Sequence, residues 1–348
     1  MPSVNIVEKY NTYAKQLCIK GDDGKVYTYL IMANNNHSDT EKSEKVLQLF
    51  QFLNLFLSKE HGTAKRSLKF FIPRTVTFKP YLRVVSDDES SLSLFDIYKQ
   101  NCIEMSREFD APVASYFEMV CSLPINPYID TDKMLNIFQN VQENFVPVNI
   151  LKEWTQNTYP GAADYFVFRK QFVLYYSLAA FAEYAFHLTL QSPDMMYIHK
   201  DTGVISNISF KFESLEGNVH TVRRVPFRLT PNIYQFVTPL GIRGVVTAVL
   251  LATANCFKKH RKSIQELLQV ILKYEVINNE KHLHYMESEV NGEERINDIV
   301  TRVVCEALQR IEGLSKCESV RPKACKLVKS AKDYDNLCLM DPLWYPWL

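Results

Sequence analysis

Between Phe181 and Phe212 the chain reads FAEYAFHLTLQSPDMMYIHKDTGVISNISFKF, and no other stretch constrains the fold so tightly. Apolar residues at helical spacing lead into Gln191-Ser192-Pro193-Asp194, where the proline stops a helix. Met195, Met196, Tyr197 and Ile198 make a short apolar run of strand type. Lys200-Asp201-Thr202-Gly203 is turn chemistry, and Val204 to Phe212 reads as a second strand. Helix, loop, strand, tight turn and strand follow one another without a spacer. The loop and strands carry Leu190, Gln191, Ser192, Met195 and Ser209, none of which offers a charged oxygen to a hard cation.

Composition places this layout in a globular chain. Of 348 residues 47% are hydrophobic and 12% aromatic, which argues against disorder, and the length predicts two or three domains or lobes. A formal net charge of +1 gives no global field for nucleic acid or an acidic membrane. The cysteines at 18, 102, 121, 256, 305, 317, 325 and 338 make no C-x-x-C pair, and nothing resembles a signal peptide. Reduced thiols in the cytosol or nucleus are expected. The longest apolar run, Phe172 to Ala182, is too short to span a bilayer and is stopped by Glu183, so the chain reads as soluble and intracellular.

The flanking sequence supplies the rest. Residues 1–40 read as a β-hairpin, with Leu17 and Ile19 facing Val26, Tyr27, Tyr29 and Ile31 across Gly21-Asp22-Asp23-Gly24. Glu41 to Lys59 carries apolar residues at helical spacing, and His61 to Arg66 reads as a polar loop. Leu68 to Ile72, Val76 to Phe78 and Leu82 to Val85 read as short strands. Ser86 to Ser91 is a polar break suited to a hinge. Leu92 to Met105 opens a helical half punctuated by Pro124, Pro127 and Pro147. The aromatics from Trp154 to Phe172 read as core, residues 213–224 as a charged loop, and Ile242 to Phe257 as a buried helix. Lys258 to Lys262 is a basic cluster read as a solvated helix end. His282 and His284 lack ligand partners at metal spacing and read as surface residues. Residues 286–298 read as a linker, Ile296 to Leu314 as an amphipathic helix, and the last segment as a helix with an aromatic tail ending Trp344-Tyr345-Pro346-Trp347-Leu348. Such a tail is a costly exposed patch unless it packs.

Three motifs in order carry a resemblance: the Phe181–Phe212 frame, Pro226-Phe227-Arg228-Leu229-Thr230, and Asn336-Leu337-Cys338 followed by the Trp-rich terminus. They resemble the phosphatidylinositol 3-kinase-related kinases, whose catalytic loop reads G-D-R-H-x-x-N and whose metal-binding strand ends I-D-F-G. The family also carries P-F-R-L-T and a short C-terminal FATC domain. Aligned on Tyr184, Leu190, Gln191 and Ser192 fall on D-R-H, Met195 falls on the Asn, and Ser209 falls on the Asp. In the small lobe, Met32 stands at the ATP-gripping Lys and Ser43 at its supporting acid. This combination is similar to the catalytically dead, transformation/transcription domain-associated branch of the family.

The resemblance implies an α+β, bilobal PI3/PI4-kinase-like fold: a β-rich small lobe over 1–86, a helical large lobe over 87–315 and a FATC domain over 316–348. It implies a pseudokinase without cofactor or metal, whose tail (Trp344, Pro346, Trp347, Leu348) packs beside the activation loop. It implies a nuclear scaffold with protein subunits of histone acetyltransferase complexes of the SAGA and NuA type as partners. Transcription activators would be contacted mainly through helical repeats that lie outside these residues. The chain is then a C-terminal fragment or a stand-alone paralogue, with no nucleic-acid or membrane contact. The alternative is a divergent active Ser/Thr kinase using Asp194, Asp201 or Glu213, which otherwise read as solvated turn carboxylates.

Overall fold

A two-residue reversal at Tyr10-Asn11 opens the N-terminal sheet. Both residues take φ 54°, and Lys9 pairs with Thr12, the geometry that matches the twist of a hairpin without splaying its strands. The computed structural model describes residues 3–33, 37–79, 82–123, 130–206, 208–213, 223–238, 241, 244–283, 292–315 and 323–348. Pro124, Pro127, His284 and most of the charged loop at 213–224 lie outside them, as does the side chain of His282.

Strands β1 (Ser3–Lys9), β2 (Thr12–Lys20) and β3 (Val26–Ala33) run antiparallel, and β4 (Thr75–Lys79) and β5 (Leu82–Ser86) complete a sheet of order β1-β2-β3-β5-β4. The expected hairpin is β2–β3, with Gly21 bonded to Lys25 across the turn. The sequence reading missed β1. Between β3 and β4 lies α1 (His37–Lys59), followed by a single helical turn, α2 (His61–Ala64), where a polar loop was expected. The predicted strand at Leu68 to Ile72 does not form. The Asn54 side chain donates to Phe70 O at 3.0 Å and accepts from Phe70 N at 2.7 Å, occupying the groups that a neighbouring strand would use.

After the hinge at 87–90, β6 (Ser91–Ser93) leads into α3 (Leu94–Glu104) through a capping box. Ser93 Oγ accepts from Asp96 N at 2.9 Å and Asp96 Oδ2 accepts from Ser93 N at 2.9 Å. Helices α4 (Ala111–Cys121), α5 (Thr131–Phe145) and α6 (Ile150–Thr158) precede α7 (Ala162–Phe186), and α6 touches α7 through Trp154 and Phe168, ring centroids 6.1 Å apart. The second half of α7 is buried on all sides, from Phe172 through Phe181, Ala182 and Ala185, as befits a helix that is apolar all round. No helix among the described residues is long and apolar enough to cross a membrane. His187 ends α7 in the left-handed conformation, φ 54°.

The predicted second strand after the catalytic-loop frame is mostly irregular. β7 (Tyr197–His199) pairs with β6 and with β8 (Ile205–Ser206), while Phe212 makes one bridge back to Leu188. Helices α8 (Pro231–Val237), α9 (Val245–Lys259), α10 (Arg261–Leu283) and α11 (Gly292–Ser315) follow. α11 takes in residues 292–298 of the expected linker. The basic cluster lies at the solvated end of α9, as expected, with Lys258, Lys259, Arg261 and Lys262 exposed; there Lys259 meets Glu60 at 2.5 Å, His260 meets Glu60 at 3.4 Å, and Arg261 meets Glu312 at 2.7 Å. The chain closes with α12 (Lys323–Lys332), α13 (Tyr334–Leu337) and a 3-10 turn at Pro342–Trp344.

The β7–β8 turn is wedged against α7. Gly203 has φ +70°, and a Cβ there would stand 2.5 Å from Phe168 O and 3.2 Å from Phe172 N. Gly24, at φ +76°, has open space around it. Gly203→Ala is expected to lose about 2–4 kcal/mol in urea melts, against about 1 kcal/mol for Gly24→Ala, which carries the backbone strain alone.

Candidate functional site

The cleft beneath the β1–β2 turn is filled by side chains. Tyr10 points into it, with its ring centroid 4.2 Å from that of Tyr197, and Tyr10 N donates to Tyr197 Oη at 3.1 Å. Burial pushes the Tyr10 phenol up to about 12. Around this pair Ala14, Leu30, Met32 and Val85 from the sheet meet Ile208, with Met195 half-buried against them. Two predicted positions, Met32 and Met195, are therefore brought into one apolar cluster between the sheet and the loop. Ser209 follows Ile208 in a turn and is half-buried.

Mg²⁺ and a triphosphate require carboxylate or amide oxygens and a cation within reach of the phosphates. The cluster supplies thioethers, hydrocarbon and two phenols, and the Tyr10 ring occupies space between the sheet and β7. Among the described residues no three His, Cys, Asp or Glu side chains stand close enough to hold a metal ion. The residues present do not fit Mg-nucleotide. Of the alternative carboxylates, Asp194 lines a cavity that also touches Tyr197, while the other two are engaged or exposed elsewhere. Glu213 is bound by Arg223 Nε at 2.7 Å and lies 3.4 Å from His187, while Asp201 is exposed in the β7–β8 turn.

Of Leu190, Gln191 and Ser192, Gln191 belongs to a second centre, which the sequence reading did not anticipate. Its hub is Arg228, 1% exposed. The Arg228 guanidinium donates to Gln191 O at 3.2 Å, Trp344 O at 2.8 Å, Tyr345 O at 2.9 Å and Leu348 O at 3.0 Å. Its carbon lies 4.3 Å from the Trp344 ring centroid, so the ring face adds attraction. Thr230 Oγ1 also donates to Leu348 O, and Asn232 Nδ2 donates to Pro147 O at 2.9 Å. The P-F-R-L-T segment thus binds the tail by its carbonyls. Trp347 and Leu348 are completely buried and Pro346 is buried beside them. The indole N–H groups of Trp344 and Trp347 have no partner among the described residues, each costing about 1–3 kcal/mol, so the tail is held by buried area and by Arg228.

Glu183 ties the two sides of this centre together. One oxygen accepts from Arg228 N at 3.0 Å and the other from Gln191 N at 3.3 Å. Burial pushes its carboxyl up to about 7, against the pull of those two amides and of the Arg223 and Arg228 guanidiniums. Burial likewise pulls the Arg228 guanidinium down to about 9. A neighbouring hydroxyl, Tyr176 Oη, donates to Arg228 O at 2.5 Å. Gln191 therefore sits buried as a backbone partner of both Glu183 and Arg228, and its side-chain oxygen has no partner among the described residues. The apolar run stopped by Glu183 was the sequence signal for this hub, since a carboxylate within a buried helix needs partners.

Three outcomes follow from the hub. Arg228→Met is expected to destabilise the fold by about 3–5 kcal/mol, because it leaves four carbonyls without their donor. Deletion of Trp344 to Leu348 is expected to lower the melting temperature by about 10 °C or more. An unchanged melting temperature would mean that the tail contributes nothing to the core. For Glu183 the pH dependence has a definite sign. Its folded value lies above the ordinary 4.5, so its contribution to stability is full below 4.5 and is lost as pH rises through about 7. Urea midpoints of Glu183→Gln should lack that decline between pH 4.5 and 7.

Comparison with known proteins bears on this geometry. A family model described as phosphatidylinositol 3- and 4-kinase matches residues 32–281. Over the whole chain, the transformation/transcription domain-associated protein of Homo sapiens is 38% identical and transcription-associated protein 1 of Drosophila melanogaster is 37% identical. A subunit of the SAGA and NuA4 acetyltransferase complexes of Saccharomyces cerevisiae is 23% identical over the same extent. The chain spans only 9% to 10% of the length of these relatives. Among solved structures, the FAT and kinase domain of CtTel1 superposes with a TM-score of 0.73 at 18% identity, covering 99% of this chain and 23% of that one. That likeness establishes the bilobal α+β kinase-type fold.

Proposed function

This chain belongs to the phosphatidylinositol 3- and 4-kinase family, and we propose that it is a member whose kinase frame is an interaction module and not a catalyst. The observation that carries the reading is the filled cleft. Met32 and Met195 stand where the resemblance expects the phosphate-gripping Lys and the metal-binding Asn, and both pack with Tyr10, Tyr197 and Ile208. A hard cation has no ligand set there, and the Tyr10 ring takes space that a triphosphate would need. Gln191, at one of the catalytic-loop positions, serves the tail-binding centre. In this reading residues 1–86 are the small lobe, 87–315 the large lobe and 316–348 the FATC domain, with Trp344, Pro346, Trp347 and Leu348 as its anchor.

The relatives supply the setting. One carries the name of an acetyltransferase-complex subunit and others are named for transcription. We assign this chain the corresponding role: a nuclear, non-catalytic scaffold surface for protein subunits of histone acetyltransferase complexes. A fold built to hold its lobes closed and its tail buried presents a fixed surface, which suits docking better than a cycle of substrate binding and release.

Calorimetric titration with Mg-ATP tests the loss of catalysis. No saturable heat is expected up to millimolar nucleotide, whereas saturation in the micromolar range would restore the kinase reading. Affinity capture from nuclear extract at moderate salt tests the scaffold. Acetyltransferase-complex subunits are expected to co-purify, and their absence would remove docking from this segment.

A further inference from the structure

Outside the filled cleft, at its mouth, lies a cavity of about 340 Å³ bounded by the β1–β2 turn, α3, the Pro193-Asp194 turn and the tail. Four of its lining residues are aromatic, and three of them, Phe95, Phe109 and Tyr345, are edge-packed. Phe95 lies 6.3 Å from Phe109 at 89° and 5.0 Å from Tyr345 at 64°, so the rings form a corner. A cation already sits in that corner. Lys99 Nζ is 4.8 Å from the Phe95 centroid and 5.4 Å from the Phe109 centroid, with no carboxylate partner among the described residues. The corner therefore holds an ammonium by ring faces alone.

The same cavity carries more negative than positive charge. Glu8, Asp110 and Asp194 line it, and none has a hydrogen bond or ion pair to its carboxylate among the described residues. Of the other charged groups there, Asp96 is engaged in the α3 cap and Lys9 is neutralised by Asp87 at 2.7 Å. Three uncompensated carboxylates thus face one lysine, in a chain whose formal net charge is +1. A nucleotide or another anion meets repulsion here, and an apolar group would strip water from carboxylates without replacing it. A cation gains from both the rings and the charges.

We propose that this cavity is a docking site for a lysine or arginine side chain from a basic segment of a partner protein. The incoming cation takes the Phe95–Phe109–Tyr345 corner from Lys99 and pairs with Asp110 and Asp194, while Glu8 lies near the end of β1. Lys99, half-buried on α3, swings toward solvent. The proposal goes beyond the loss of catalysis and holds whether or not nucleotide binds. The site also joins catalytic-loop frame, small lobe and tail, so a bound peptide reads their assembled arrangement.

The test uses the full chain and a fluorescein-labelled peptide of alternating Lys and Gly, followed by anisotropy at near-physiological salt, with a Glu-Gly peptide as control. The Lys peptide is expected to bind and the Glu peptide not to. Asp110→Asn with Asp194→Asn should weaken binding about tenfold. Phe109→Ala leaves the charge unchanged and alters an exposed ring, so the fold is retained; it should weaken binding about fivefold. Lack of binding to the wild-type chain overturns the proposal. So does full retention of affinity in Phe109→Ala, which would mark the attraction as diffuse surface charge. Mg-ATP titration of the same sample reads the catalytic question separately.

Discussion

A single buried guanidinium holds the large lobe together. Arg228 is removed from water, and its two terminal nitrogens donate to main-chain oxygens of the loop and the tail, Leu348 O among them. A buried cation is expensive unless its donors are used, so the cost of misplacing the tail is large. This is what makes the position of the last five residues determinate. The tail in turn supplies Trp347, whose ring lies 6.0 Å from Tyr116 and 6.4 Å from Phe138, and Tyr345, 5.0 Å from Phe95. Helices α3, α4 and α5 are thereby set by residues more than two hundred positions away in the chain.

The second constraint is the seam between the sheet and the loop frame. In a kinase that seam must open to admit nucleotide. Here Tyr10 reaches across it to Tyr197, and hinge charges brace it from outside: Lys9 to Asp87 at 2.7 Å and His199 to Asp88 at 2.6 Å. The His199–Asp88 contact is partly solvated and contributes little alone, whereas the Asp87 side chain is buried and also accepts from Gln16 Nε2 at 3.1 Å. The apolar seam does more, and it is continuous from Ala14 to Ile208. Seam and tail together turn two lobes that are mobile in a catalyst into one body, which agrees with a role in holding partners.

How much of this could be read in the chain divides along physical lines. Elements with strong periodicity or a glycine turn were legible: α1, α9 and α11, and the β2–β3 hairpin around Gly21 and Gly24. β1 was not, because Val4 and Ile6 face solvent and its turn uses Tyr10 and Asn11 in place of glycine. The absent strand at 68–72 was misread because only the fold shows that the Asn54 side chain occupies its backbone. At the site, the missing oxygen donors at Met32, Met195 and Ser209 were legible as residue types. What replaces them was not. Tyr10 meets a residue 187 positions away, and Arg228 meets one 120 positions away. No local pattern encodes such pairings.

The filled seam also has a historical consequence: it acts as a ratchet. Restoring one polar residue, Lys for Met32 or Asn for Met195, would bury an unpartnered group in hydrocarbon and cost several kcal/mol before any function returned. The Lys would also face Arg83, its neighbour in register across β3 and β5 and itself almost fully buried. Tyr10 would have to leave in the same step to make room. A lineage that has packed its cleft in this way can vary its surface freely, but its path back to phosphoryl transfer passes through unstable intermediates.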